Sequence, residues 1–377
     1  MPRLSGTGIR GRARRWRFTG LGQGALALTV LAAVAVSVWA TTHRGAQKPL
    51  PPADPERPGV VLASAKIDLS DPYLFTWRGR HYLYVSTALG SPPTMHVPAM
   101  EAERNKTWGP VTDALPTLPS WAKPRSLEGK VWSPEVVRVG KRFLMYFAPA
   151  LRHGPESNTH CLGVATASSP LGPFVPKPGP PIVCQLTLGG DIDPQIFVDP
   201  HGPRGPRHPY YLIWKSDNNT APGAGRDTAW AAPLRNNGLV LGGRAVRIFN
   251  VRQAWEQPFL EAPQMAKAPN GSYWLLFSTG AGYWQPGSAI GIAQCKGPLG
   301  PCRDTRTSPL IGSNAQGRGP GEETVFVANN KDVWILYGPW HGGPSAPYRP
   351  VEAAHLGWNR HGRPVLLAPG GGPLAYR

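Results

Sequence analysis

Three carboxylates in this chain stand at related points of a recurring phrase, and their type and spacing suit acid–base work on a bond held between them. The phrase reads Asp71-Pro72-Tyr73-Leu74, Trp132-Ser133-Pro134-Glu135-Val136, Asp193-Pro194-Gln195-Ile196 and Glu261-Ala262-Pro263-Gln264-Met265. A lone Asp-Pro carries little meaning, since Asp54-Pro55 and Asp199-Pro200 also occur and Asp before Pro is ordinary turn chemistry. Asp71, Asp193 and Glu261 differ in falling at matching or adjacent phases of the repeat. Carboxylates crowded into one concave site repel, so retaining them costs stability unless protons, hydrogen bonds or cations offset the charge. Hydrolysis of a glycosidic bond uses such a set: an ionised carboxylate to activate water and a protonated one to release the leaving group. A third can raise the acid's proton affinity and fix its orientation.

These residues need a scaffold that turns distant sequence positions toward one point. Each phrase leads into an aromatic and apolar run, namely His81–Val85, Phe143–Phe147, Tyr210–Trp214 and Tyr273–Phe277, and a weaker fifth copy pairs Glu323-Thr324-Val325-Phe326 with Val333–Tyr337. The prolines at 72, 134, 194 and 263, with Thr324 in the fifth place, recur at roughly 60–70 residues. Repeats of that length, holding several short strands and turn residues, predict an all-β five-bladed β-propeller. A two-domain sandwich accounts for short strands but not for the period. The inner strands of a propeller converge on a funnel, so the three carboxylates are expected to face one another across it. Blades 1 and 4 are not adjacent, which favours the wider separation of about 6.5–9.5 Å that an inverting enzyme uses to admit a water.

Composition agrees with many strands: charged residues are 16%, Gly and Pro number 45 each, and Trp 14. Residues 1–42 read as a signal peptide or an N-terminal membrane anchor helix, with Arg-rich residues 1–20 and an apolar run over Ala25–Val38. Both outcomes place the remainder outside the cytoplasm, secreted or tethered. A Pro-rich linker follows over 43–59, the propeller spans 60–367, and 368–377 form a tail. The cysteines pair most simply as Cys161–Cys184 and Cys295–Cys302 in an oxidising compartment. The net charge of +18 suits association with an anionic cell envelope or membrane. No basic helix, zinc spacing or RNA-recognition phrase accompanies it, so nucleic acid is not expected as a partner. A monomer is expected.

Over about residues 60–365 the chain resembles glycoside hydrolase family 43, five-bladed propeller enzymes acting mainly on arabinofuranosides and xylosides. The carriers are Asp71-Pro72-Tyr73, the run Ala114–Ala122 leading to Val131–Val136, Ile192-Asp193-Pro194-Gln195-Ile196-Phe197 and Glu261-Ala262-Pro263. The resemblance implies Asp71 as general base, Glu261 as general acid and Asp193 as the carboxylate that tunes proton affinity and orientation. It implies Trp132 as an aromatic sugar platform, with Tyr73, Trp284 and His341 as further substrate contacts. Asp68 and Asp191 are out of phase and read as turn or strand-edge residues. Two departures stand out. Ala262 lies where the family often has Gly, and Glu322 in Gly319-Pro320-Gly321-Glu322-Glu323 lies where many members have a His beside a metal or water site. No cofactor is required; the metal option is a structural Ca²⁺ with Glu322 as a ligand, against a structural salt bridge from Glu322 or Glu323 to Arg318. The expected function is an exported, inverting glycosidase of arabinose- or xylose-containing glycans. The alternative is a non-catalytic carbohydrate-binding propeller.

Overall fold

Short strands fold into five antiparallel sheets, four of them of four strands and the last of five. The computed structural model describes residues 59–63, 69–87, 94–103, 108–127, 129–280, 287–313, 318–327, 332–341 and 348–367. The expected signal or anchor, nearly all of the linker, the tail, Asp68 and Trp284 lie outside the described residues. No helix among the described residues is long and apolar enough to cross a membrane.

Each sheet is a blade whose innermost strand follows the repeated phrase. The inner strands are Tyr73–Trp77, Val131–Val139, Asp191–Val198, Phe259–Lys267 and Thr324–Val327. They pair with Arg80–Tyr84, Arg142–Pro149, Tyr210–Ser216, Tyr273–Gly280 and Val333–Tyr337, the aromatic runs foreseen from sequence. Alternation along these runs gives each sheet two apolar faces, so every blade can pack against both neighbours. Among the described residues an apolar cluster lies at each blade interface: for example Phe197, Tyr211, Met265 and Phe277 between blades 3 and 4, and Trp334, Leu336, Leu74 and Leu83 between blades 5 and 1. Each fully buried large apolar side chain contributes about 1.5–3 kcal/mol.

The last blade is closed by both ends of the folded chain. Gly59–Ala63 pairs with residues 351–354 of the strand Val351–Trp358, and Pro364–Leu367 pairs with residues 355–358 of the same strand. Both expected disulfides are present. Cys161–Cys184 ties the lead-in to the third strand of blade 2 to the connection toward blade 3, and Cys295–Cys302 links facing residues of the outer strands of blade 4.

The repeated phrase is a β-bulge made five times. Two residues of the inner strand face one residue of its partner: Ser133-Pro134 against Phe147, Asp193-Pro194 against Trp214 and Ala262-Pro263 against Phe277. The hydrogen bonds from Ser86 N to Ser70 O and from Gly338 N to Gly321 O place Asp71-Pro72 and Glu322-Glu323 in the same arrangement. The first bulge residue is left-handed in every blade, with φ of 48° at Asp71, 49° at Ser133, 55° at Asp193, 47° at Ala262 and 56° at Glu322. Proline suits the second position of four bulges because the ladder there has no use for its missing N–H.

This alignment corrects the sequence reading in two places. Blade 2 matches the Asp of blades 1 and 3 with Ser133, not Trp132; Trp132 shares its phase with Glu261. In blade 5 the proline position is held by Glu323, not Thr324, because Thr324 aligns with Tyr73, Glu135, Gln195 and Gln264.

Candidate active site

Below the bulges, that last set of residues sews the blades into a ring. Tyr73 OH donates to Val136 O (2.8 Å), Ile196 N and Gln264 Nε2 donate to Glu135 (3.2 and 2.7 Å), and Gln195 exchanges two bonds with the Met265 backbone. Val325 N donates to Gln264 Oε1 (3.2 Å), and Thr324 Oγ1 closes the circle on Pro72 O (2.6 Å). Burial pushes the Glu135 carboxyl up to about 8 despite these two donors. Tyr73 thus belongs to the ring and to the wall of the axial cavity beyond it, so the structure does not bring it to the funnel as a sugar contact.

Above the ring stand the bulge residues. Ser86 Oγ donates to Asp71 Oδ2 and accepts from Ser133 N (2.7 Å), while Asp71 N donates to Glu322 Oε2 (3.2 Å). Ser133 Oγ donates to Asp193 Oδ1 (2.5 Å), and Ala262 N donates to Asp193 Oδ2 (2.7 Å). Asp193 therefore touches the residue next to Glu261 and is linked through Ser133 and Ser86 to Asp71. Asp71 and Asp193 line one pocket on the axis; Glu261 lines the adjoining one, and Glu322 borders both. The left-handed backbone is what aims Asp71, Asp193 and Glu322, since a residue at φ near +50° carries its Cβ away from the regular pleat.

Glu261 has a cation that sequence reasoning missed. Lys215, wholly buried, lies 2.6 Å from Glu261 Oε2, 2.9 Å from Asp217 Oδ1 and 3.6 Å from Asp227 Oδ2. Burial raises the proton affinity of Glu261 well above the usual carboxylate range; Lys215 opposes this, while Asp193, Asp227 and Asp217 add to it. Lys215 stays charged because those carboxylates outweigh its desolvation. The available signal was a lysine directly after the apolar run Tyr210–Trp214, where other blades have Ser86, Ala148, Ser278 and Gly338.

Trp132 is half-buried and stacked on His160, ring centroids 3.9 Å apart. His160 Nδ1 bonds Asn158 O (2.7 Å), and burial pushes this imidazole down to about 4, so it is neutral. His341 lies after the second strand of blade 5 and is held by Glu352 (3.0 Å). Asp191 opens the inner strand of blade 3, at the strand end as expected, and is fully buried: it accepts from Gln185 N (2.6 Å) and Trp214 Nε1 (2.9 Å), and burial raises it to about 7.

Glu322 is salt-bridged, but to Arg349 (Nη1 to Oε2, 2.6 Å) in place of the expected Arg318. Its Oε2 also receives Asp71 N, so this oxygen is committed to a built-in cation and a backbone donor. Among the described residues no group of three or more His, Cys, Asp and Glu side chains converges as a metal ligand set. Glu323 is fully buried, with Oε2 receiving Ser278 Oγ.

Residues 65–364 match the family described as Glycosyl hydrolases family 43. Two curated relatives are each 26% identical to the chain. Beta-D-galactofuranosidase xynD of Aspergillus niger aligns over 244 residues, 59% of this chain and 63% of that protein. Arabinoxylan arabinofuranohydrolase of Bacillus subtilis aligns over 188 residues, 46% of this chain and 33% of that protein. The chain thus spans less than two thirds of the length of either. Among solved structures, a thermostable family-43 glycoside hydrolase superposes with a TM-score of 0.65 at 23% identity, covering 81% of this chain and 95% of that one. The alpha-L-arabinofuranosidase from Lactobacillus brevis does so with 0.62 at 18% identity, covering 84% and 98%.

Proposed function

The chain belongs to glycosyl hydrolases family 43, and on that premise we propose that it is an exported glycosidase cleaving arabinofuranosyl or related linkages with inversion of configuration. The observation that carries the reading is the funnel itself, where Asp71 lies just before the inner strand of blade 1, Asp193 and Glu261 stand on the inner strands of blades 3 and 4, and Asp193 bonds the residue beside Glu261. Asp71, held at Oδ2 by Ser86, is the general base that takes a proton from water. Glu261 is the general acid that protonates the departing oxygen, and its buried setting keeps it protonated above the usual carboxylate range. Asp193 raises the proton affinity of Glu261 through its charge and fixes the bulge that carries it.

Trp132, at the phase of Glu261 and backed by His160, supplies an indole for the apolar face of a sugar. The names of the two curated relatives refer to galactofuranosyl and arabinofuranosyl substrates, which favours a five-membered ring over a xylopyranosyl one. The disulfides support an oxidising compartment. A basic strip supports docking on an anionic envelope: Arg78 and Arg138 flank Trp77 at 5.5 and 4.2 Å, with exposed Lys141 and Arg142 beside them.

Turnover of aryl α-L-arabinofuranosides, β-D-galactofuranosides and β-D-xylosides tests the assignment. Asp71→Asn is expected to lose at least about a thousandfold in kcat/KM on all active substrates. Glu261→Gln is expected to lose as much on poor leaving groups but far less on a dinitrophenyl glycoside, which departs without a proton. Undiminished hydrolysis by both folded variants would sink it.

One observation favours a second reading. An ammonium 2.6 Å from Glu261 stabilises its ionised form, which cannot act as an acid, and suits a carbohydrate-binding propeller without turnover. Oligosaccharide binding with no product over the same panel supports that reading; product of inverted anomeric configuration by NMR excludes it.

A further inference from the structure

The surroundings of Lys215 resolve that tension, granted the role proposed for Glu261. A single ammonium is shared among three carboxylates from two blades. Glu261 is on the inner strand of blade 4, whereas Asp217 and Asp227 lie on the turn between the second and third strands of blade 3. The two aspartates are built in. Asn219, with its amide nitrogen turned toward them, donates to Asp217 Oδ1 (2.7 Å) and Asp227 Oδ1 (3.0 Å), and Asn219 N donates to Asp227 Oδ1 (2.9 Å). Asp227 Oδ2 also receives Leu260 N (3.4 Å), the amide next to Glu261, so the turn is tied to the backbone that carries the acid. The side chains of Lys215 and both aspartates are at most 4% exposed, whereas that of Glu261 keeps 20% of its surface. Only Oε2 of Glu261 is bonded; Oε1 has no hydrogen-bond partner among the described residues.

We propose that Lys215, Asp217 and Asp227 form a positioning cage for Glu261, in which the ammonium holds Oε2 so that the transferable proton sits on Oε1, and the two aspartates share the ammonium's charge so that Glu261 is not locked in its ionised form. The arrangement serves both ends of the step. Before transfer, the two competing carboxylates dilute the pull of Lys215. After Oε1 has given its proton to the departing oxygen, the carboxylate left behind already has a fixed ammonium at 2.6 Å, with no reorganisation needed. The charged groups facing Glu261 are Lys215, Asp193, Asp217 and Asp227, and those facing Lys215 are Glu261 and the same three aspartates. Asp217 in turn faces Asp191 and His160. No bond other than the proton transfer is implied, and Lys215 never contacts the sugar.

The cage makes two substitutions act in opposite directions. Lys215→Met removes the group that favours ionised Glu261, so the alkaline limb of the kcat/KM profile moves to higher pH while kcat falls by at least tenfold through lost orientation. Asp227→Asn leaves more of the ammonium's charge for Glu261, so the limb moves to lower pH. Lys215→Arg is expected to recover most of the kcat lost by Lys215→Met. These are measured on the full chain with the best substrate of the panel, after circular dichroism confirms folding. Should Lys215→Met fail to fold, Asp217→Asn joins Asp227→Asn, and both must lower the limb. Limbs that move in the same direction for Lys215→Met and Asp227→Asn, or an unaltered limb in Asp227→Asn, overturn the proposal. A wild-type chain without turnover counts against the glycosidase reading alone. In that event, titration of Glu261 by carboxyl ¹³C NMR, assigned by its loss in Glu261→Gln, still decides the cage by the same opposite shifts.

Discussion

At the scale of single residues, Glu323 occupies the place that proline holds in the other four bulges, and it brings a further carboxyl into the floor of the funnel. Its Oε2 receives Ser278 Oγ, but its buried Oε1 has no partner among the described residues, and burial raises its proton affinity well above the ordinary value of 4.5, with Asp193 and Glu322 adding to the effect. A group raised in the folded state contributes stability that is complete below its unfolded pKa and is lost as pH rises toward the folded one. The wild-type protein should therefore lose stability from about pH 4.5 upward at up to about 1.4 kcal/mol per pH unit from this site. Glu323→Gln keeps the acceptor for Ser278 and removes the charge. Thermal melts between pH 5 and 8 should show the variant gaining on the wild type as pH rises; a difference that does not vary with pH would refute this origin. The three carboxylates were legible because each heads a repeated phrase. Lys215 and Arg349 were not, since neither belongs to the repeated phrase and the role of Lys215 rests on a contact with Glu261, 46 residues away.

At the scale of the element, the left-handed bulge explains why the phrase recurs and why its head varies. Left-handed backbone costs an L-residue about 1–2 kcal/mol, yet the bulge can aim a side chain at the axis, and in blades 1, 2, 4 and 5 its first amide donates to the preceding blade. Ala262 uses only the second property, through its N–H to Asp193, and its methyl is buried. The family's frequent Gly at this place follows from the φ of 47°, since glycine adopts it freely. Ala262→Gly is expected to stabilise the fold by about 0.5–1 kcal/mol with activity retained, and Ala262→Val to destabilise it by more than about 2 kcal/mol. Chemical denaturation read by tryptophan fluorescence checks both, and equal effects of the two substitutions would contradict the strain argument. Blade 5 also shows where pattern reading slips. Without its proline the phrase lost its anchor, and a register off by one residue put Thr324 at the proline place, whereas Thr324 is in the ring and bonds Pro72 O.

For the propeller as a whole, the period predicted the architecture because each blade must repeat the same solution: an inner strand, an aromatic partner and two apolar faces. Closure breaks the repetition and so left no trace in the period. Blade 5 takes its outer edge from two separate segments, with Gly59–Ala63 covering residues 351–354 and Pro364–Leu367 covering residues 355–358. The first straddles the expected start of the propeller at residue 60 and precedes the first repeated phrase, so the period carried no sign of its pairing. Without it the backbone of residues 351–354 becomes an open sheet edge, a template for association with other chains. The pairing also holds the first blade's lead-in to the last blade, so its loss should weaken the ring as a unit. Only alternate amides of an edge strand face its partner, so a double substitution Val60→Pro/Val61→Pro removes a ladder bond in either phase. It is expected to cost about 3 kcal/mol or more, lower the melting temperature by several degrees and speed hydrogen exchange selectively at residues 351–354. If the melt and those amides are unaffected, the propeller does not depend on the upstream strand for closure, and the contacts of blades 5 and 1 through Thr324, Glu322 and Arg349 must suffice.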